Sequence, residues 1–191
     1  MLRRILLSSL LVAFAAPALA APEKYDIDKG HSQVIFTWDH FGFSKPSATL
    51  EKFTGTFMLD TADLTKSSIE ITFPLDGLHT GVPKLDEHLK SADFFDAAKY
   101  PDITFKSTKV EKAGADKLKV TGDMTAHGVT KPVVLDVHVN KIGENPMMKS
   151  QSAGFDAETT FKRSEWGVGA YVPNVSDEIK VRITLDSHLA K

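Results

Sequence analysis

Beyond Tyr25 the chain alternates apolar and polar positions with a period of two. Val34, Phe36 and Trp38 share one face against Ile35, Thr37 and Asp39. The same rhythm runs through Ile69, Ile71, Phe73 and Leu75; Ile103 and Phe105; Leu118 and Val120; and Val133, Leu135, Val137 and Val139. It returns in Phe155, Ala157, Thr159 and Phe161, and in Ile179, Val181, Ile183 and Leu185. Such spacing predicts antiparallel strands with one dry and one wet face. With Thr49 to Asp60 included, about eight strands are expected, divided by turn signals at Asp28-Lys29-Gly30, Ala113 to Asp116, Gly143 to Pro146 and Pro173-Asn174. Pro74, on an outer face, should mark an edge or a bulge. One stretch breaks the rhythm. Pro83 can open a helix at its first turn, Leu85, Leu89 and Ala92 follow at helical spacing, and Pro101 prevents continuation. A short helix plus a second short turn, capped by Asp93, is expected there as a lid between strands.

The first twenty residues do not belong to this pattern. Arg3 and Arg4 precede an apolar run from Ile5 to Ala16, Pro17 breaks it, and Ala18-Leu19-Ala20 offers small residues for cleavage. This is the form of a secretory signal peptide cut after Ala20, leaving residues 21–191 as one exported domain. The run is too short for a permanent anchor, so stable membrane insertion is not expected. Losing Arg3 and Arg4 takes the basic count from 23 to 21 against 25 acidic residues, a net charge of −4. A weakly acidic surface with scattered lysines does not suit nucleic acid. With no cysteine in the chain, disulfides, thiolate metal sites, cysteine nucleophiles and a lipidated N-terminus are all excluded.

Eight antiparallel strands suit either a filled sandwich or a closed barrel enclosing room for one ligand. The 12 Phe, 2 Trp and 3 Tyr bear on this choice without deciding it. Phe36, Trp38, Phe57, Phe73, Phe105, Phe155 and Phe161 all fall on inward faces, where the pattern alone favours plain core over a ligand site.

Several spaced motifs narrow the choice. Asp86-Glu87-His88-Leu89-Lys90-Ser91-Ala92-Asp93-Phe94-Phe95-Asp96, then Tyr100 to Ser107, closely resemble the central signature of YceI-like proteins. So do Thr121 to Val133, the opening Tyr25 to Asp28 with His31-Ser32, His40 to Ser44, and Phe161 to Gly167. In order, these cover Tyr25 to Leu185. The resemblance implies an extended lipocalin-like, eight-stranded antiparallel barrel. It further implies an elongated apolar cavity for polyisoprenoid, quinone or fatty-acid-like chains, a periplasmic setting, and a homodimer as a reasonable assembly.

On this reading the candidate ligand contacts are the inward Phe36, Trp38, Phe73, Phe105, Leu135, Phe155 and Phe161. To them are added the loop residues His40, Phe41 and Phe43, the lid residues Leu89 and Phe94, and Arg163 and Trp166 of the last motif. Of Phe94 and Phe95, about 100° apart on a turn, one should enter the cavity and the other seal the surface. Arg163 suits an anionic head group, or else a salt bridge to Glu165 or Asp177. Asp86 is expected to cap or hydrogen-bond, His88 to serve a loop or the cavity mouth, and His127 to serve a tight turn before Gly128. The histidines lack metal-binding spacing, so neither metal nor cofactor is expected. No nucleophile motif appears, and a carrier rather than an enzyme is expected. The rivals are a hydrolase of lipid amides or esters in the same cavity, which needs a histidine and a carboxylate converging inside it, and a barrel packed shut.

Overall fold

The computed structural model describes residues 21–191; the expected signal peptide lies outside them. Eleven strands form: β1 (Glu23–Ile27), β2 (Gln33–Thr37), β3 (Ser47–Leu50), β4 (Thr54–Leu59), β5 (Ser68–Pro74), β6 (Leu78–His79), β7 (Asp102–Lys112), β8 (Lys117–Ala126), β9 (Val129–Glu144), β10 (Gln151–Lys162) and β11 (Glu178–Leu189). One helix, α1 (Pro83–Lys90), and short 3-10 turns at Leu64–Lys66, Leu75–Gly77 and Arg163–Trp166 complete the elements among the described residues.

The eleven strands make eight staves. β1 pairs with Ser187 to Leu189 of β11 and β2 with Lys180 to Thr184, so β1 and β2 are two lengths of one stave. β4 continues β3 alongside them, and β6 continues β5. The ladder then runs through β7, β8, β9, β10 and β11 back to β1. Every pairing is antiparallel, and the β1–β11 pairing closes the barrel, leaving single-neighbour stretches at β6, at the end of β5, at Val129 to Leu135 of β9 and at Thr159 to Lys162 of β10.

The three broken staves bend at Asp28 to Ser32, at Glu51 to Phe53, and at Leu75 to Gly77. The Asp28-Lys29-Gly30 signal is therefore a bend inside a stave and not a turn between strands. Pro74 marks an edge, as expected: the β4–β5 ladder stops at Thr72, so Pro74 ends β5 with one strand neighbour, opposite Asp102 of β7, and starts the third bend. A proline without an N–H fits the point where a ladder must stop. The second and third bends are locked together, because the Glu51 amide donates to the Gly77 carbonyl at 2.9 Å. A side chain at Gly77 would strike the Glu51 carbonyl.

The long hairpins follow the sequence signals more simply. β8 and β9 join through His127 and Gly128, both at positive φ (49° and 73°), the geometry of a two-residue turn matched to strand twist. The β9–β10 ladder ends at Asp136 opposite Glu158. Above it Pro132 sits where β9 keeps one strand neighbour, a setting that tolerates a strand proline. Trp166 packs there at 5.0 Å from Phe161 and donates its indole N–H to the Met124 carbonyl.

Two apolar clusters lie inside. The larger fills the end where β2 stops and α1 crosses. The smaller, Tyr25, Phe57, Leu59, Ala153 and Phe155, forms a floor at the opposite end, with Phe57 edge-on to Phe155 at 5.8 Å.

Candidate functional site

The inward positions do not meet in the middle. They surround a cavity of about 500 Å3 running along the barrel, within the size range of small-molecule sites. Each stave contributes its inward row: Val34, Phe36 and Trp38 from β2 and its extension, Ile69, Ile71 and Phe73 from β5, Ile103 and Phe105 from β7. Across from them stand Val133, Leu135 and Val137 of β9, Phe155, Ala157, Thr159 and Phe161 of β10, and Ile179 to Leu185 of β11. The period-two pattern thus becomes the cavity wall in register. Leu75 is buried but stands apart, packed at the third bend.

One end is roofed by α1, the turn after it and two loops. Pro83 opens α1, whose N-cap residue Val82 offers no side-chain acceptor. Asp86 fastens the helix instead, accepting from the Thr80 amide at 2.7 Å, from the Thr80 hydroxyl, and from His79 Nδ1 at 3.1 Å. Burial raises its pKa, but the Thr80 and His79 bonds outweigh this and hold the carboxyl below its ordinary range. Leu85, His88 and Leu89, one face of α1, border the cavity. The following turn is organised by Ser91 and not by Asp93. The Ser91 carbonyl accepts from Phe94 and Asp96, and its hydroxyl accepts from the Asp93 amide. Asp93 points outward, 3.8 Å from His88 Nε2. Serine's shorter side chain reaches back to its own turn, which leaves the aspartate nothing to cap. Phe94 and Phe95 both border the cavity, Phe95 edge-on to Phe36 at 6.4 Å, so neither is given over to sealing the surface.

Arg163 is 7% exposed and borders the cavity. Its Nε donates to the Ser176 carbonyl at 2.9 Å, Nη1 to the Val168 carbonyl, and Nη2 to Ala170 at 2.8 Å and Val175 at 3.0 Å. Four of five N–H groups are thus committed to backbone oxygens. Neither expected salt bridge forms: Asp177 is held by the Ser164 amide at 2.8 Å and hydroxyl at 2.7 Å, and no ion pair joins Arg163 to Glu165 among the described residues. Carbonyls of the loop from Gly167 to Asp177 surround the guanidinium because that loop folds over it. The Phe94 ring lies 5.8 Å from its central carbon.

Of the expected contacts, Phe36, Trp38, His40, Phe41, Phe73, Leu89, Phe94, Phe105, Leu135, Phe155, Phe161, Arg163 and Trp166 all border the cavity. Phe43 does not, and stands 92% exposed. Tyr171 and Val175 were not foreseen. They come from a loop with no periodic signal, and Tyr171 closes on His88 (6.1 Å) and Phe94 (6.0 Å). No Asp, Glu or Lys borders the cavity among the described residues. Away from it, Asp28, His31 and Asp186 gather at the first bend with ligand atoms within 4.8 Å. His31 Nδ1 is already bonded to Asp28 at 2.8 Å, and the group reads as an ion pair bracing that bend.

A family model described as the YceI-like domain matches residues 25–187. The chain belongs to the YceI-like family. Protein YceI of Escherichia coli is 36% identical over 176 residues, covering 92% of this chain and 91% of that protein. The Salmonella arizonae protein is 34% identical over 180 residues, covering 94% and 93%. Among solved structures, Burkholderia cenocepacia BcnA superposes on this YceI-like barrel with a TM-score of 0.76 at 26% identity, over 84% of this chain and 99% of that one. A polyisoprenoid binding domain from Saccharophagus degradans, implicated in plant cell wall breakdown, shares the fold with a TM-score of 0.66 at 13% identity, over 87% and 98%. Among the described residues no helix is long and apolar enough to cross a membrane.

Proposed function

We propose that this YceI-like protein is an exported, periplasmic carrier that sequesters one long apolar molecule, a polyisoprenoid, an isoprenoid quinone or a fatty-acid-like amphiphile, along the axis of its barrel. The observation that carries this reading is the cavity wall: apolar on all eight staves, without a carboxylate or a lysine among the described residues, and with a single arginine largely occupied by backbone. Each buried methylene contributes ~0.8 kcal/mol, so a long chain gains ample drive to leave water. The Saccharophagus domain is described as binding polyisoprenoid; at its low identity it speaks for the fold, and the ligand class here rests on the cavity.

A hydrolase would need a histidine paired with a carboxylate beside the ligand. His40 and His88 reach the mouth, but the carboxylate nearest His88, Asp93, faces solvent. The residues serve packing and hydrogen bonding, and the chain acts by binding rather than by catalysis. The leader-like first twenty residues support export, and membership in the YceI-like family supports the periplasm as the setting.

Native mass spectrometry of the protein purified from its own periplasm, followed by solvent extraction, tests the reading. A bound species with isoprenoid or acyl fragmentation is expected. An apo mass, together with failure to take up any long-chain probe, overturns it.

A further inference from the structure

At the roofed end, the loops Trp38 to Pro46 and Gly167 to Asp177 lie side by side and form part of the cavity mouth. They are tied firmly. The Phe41 amide donates to the Asn174 carbonyl at 2.8 Å, Asp39 and Ser176 exchange two bonds at 2.9 Å, and Arg163 grips the second loop at four carbonyls. The tip of the first loop is a tight turn, with the His40 amide on the Ser44 carbonyl at 2.9 Å and the Gly42 amide on Asp39 Oδ1 at 2.6 Å. On this braced scaffold Phe41, Phe43, Tyr171 and Val172 face solvent. A phenylalanine 92% exposed at a fixed turn is not a side chain that failed to find the core.

Two observations narrow what this rim meets. First, Phe41 to Ser44 and Gly167 to Ser176 contain no Asp, Glu, Lys or Arg in a chain that is 25% charged. Asp39, Lys45 and Asp177 flank these stretches, so burying Phe41, Phe43, Tyr171 and Val172 themselves desolvates no charge, which matches an uncharged interface and not a charged partner. Second, Phe41 and Tyr171 belong both to the rim and to the cavity wall, so the exposed apolar surface runs unbroken into the cavity. Aromatic side chains with this disposition settle at the headgroup level of bilayers.

We infer that this rim docks on the surface of a lipid bilayer, placing the cavity mouth against the lipid so that a chain passes between membrane and barrel without crossing water. The inference rests on the carrier reading for its purpose, but its test is separate. The mature protein is floated with vesicles of phosphatidylcholine and phosphatidylethanolamine at low and high salt. The wild type is expected to float at both, since the contact is apolar. The double variant F43S/V172S, altered outside the cavity, is expected to partition about tenfold less, with its thermal unfolding and its uptake of a soluble fluorescent long-chain fatty acid unchanged. A wild type that stays in the aqueous fraction overturns the docking, as does a variant that floats equally well. Self-association abolished by F43S, without flotation, would make the patch a contact between copies and also overturn it. Flotation without fatty-acid uptake would instead keep the docking and sink the carrier reading.

Discussion

At the scale of single residues, the roof depends on groups that work through the backbone. Arg163 holds the loop from Gly167 to Asp177 by four N–H donations, and no side chain of similar size replaces them. Arg163→Met leaves those carbonyls unpaired and is expected to lower stability by about 3 kcal/mol or more, measured by chemical denaturation, with proteolysis then starting in that loop. Gly128 is constrained differently: its φ is +73° and a Cβ would strike the Tyr100 ring. Gly128→Ala is expected to cost at least ~1–3 kcal/mol on the same assay. The pair Asp28–His31 makes a pH-dependent brace at the first bend. Hydrogen bonding to Asp28 raises the His31 pKa, and the bond to His31 lowers that of Asp28. The histidine's contribution is full below its unfolded pKa and fades as pH rises through its raised value. The aspartate's is full above its unfolded pKa and fades as pH falls through its lowered value. Both are complete between about pH 4 and pH 6.5. NMR titration of His31 should show the raised pKa, and Asp28→Asn should return it toward the ordinary value.

At the scale of elements, α1 is held to the roof less by its cap than by Asp86, which reaches back to Thr80 and His79. Asp86→Ala is expected to destabilise the protein by ~1–2 kcal/mol, as loss of a helix-capping acceptor does, and to speed release of a bound fluorescent fatty acid. Because the Asp86 pKa is lowered, its contribution is present above its unfolded value and is lost as pH falls through the lowered one. Acid should therefore mimic the substitution, with release in stopped flow quickening only once the pH falls below the ordinary aspartate range. The helix was legible because Pro83, Leu85 and Leu89 obey local rules. That Asp86 caps or hydrogen-bonds was legible as well; its partners were not, since Asp86 and Thr80 meet across a loop that periodicity does not describe. The staves show the same division. Alternation fixed each inward face, yet Asp28-Lys29-Gly30 carries the same residue types whether the chain turns back or merely bends. Only pairing to the common neighbour β11 decides that β1 and β2 are one stave. Ser91 and Asp93 are equally good cap residues by type, and position within the turn decided between them.

At the scale of the whole molecule, the alternation that marks a core face also marks a cavity wall, so sequence patterning could not tell a filled interior from a hollow one. Eight staves close to a width at which side chains either fill the interior or leave room for one ligand. Side-chain size around each level then decides. Here Phe36, Phe73, Phe105 and Phe155 are offset by Ala126, Ala157, Val133 and Thr159, and about 500 Å3 remains. Ala157 tests the point, as the smallest residue that β10 contributes to the cavity wall. In a filled core, Ala157→Trp would overpack and cost typically ~1–3 kcal/mol. In a hollow barrel the indole enters existing space, so the ligand-free protein should keep its unfolding midpoint. Uptake of a long-chain probe should then fall about tenfold or more, equivalent to ~1.4 kcal/mol of lost binding. Denaturation and probe titration on the same variant separate the cases. Lost stability with unchanged uptake would mean that the chain does not run past β10. Unchanged stability with lost uptake would place the ligand against Ala157, between the Phe155 floor and Phe161 on the same strand.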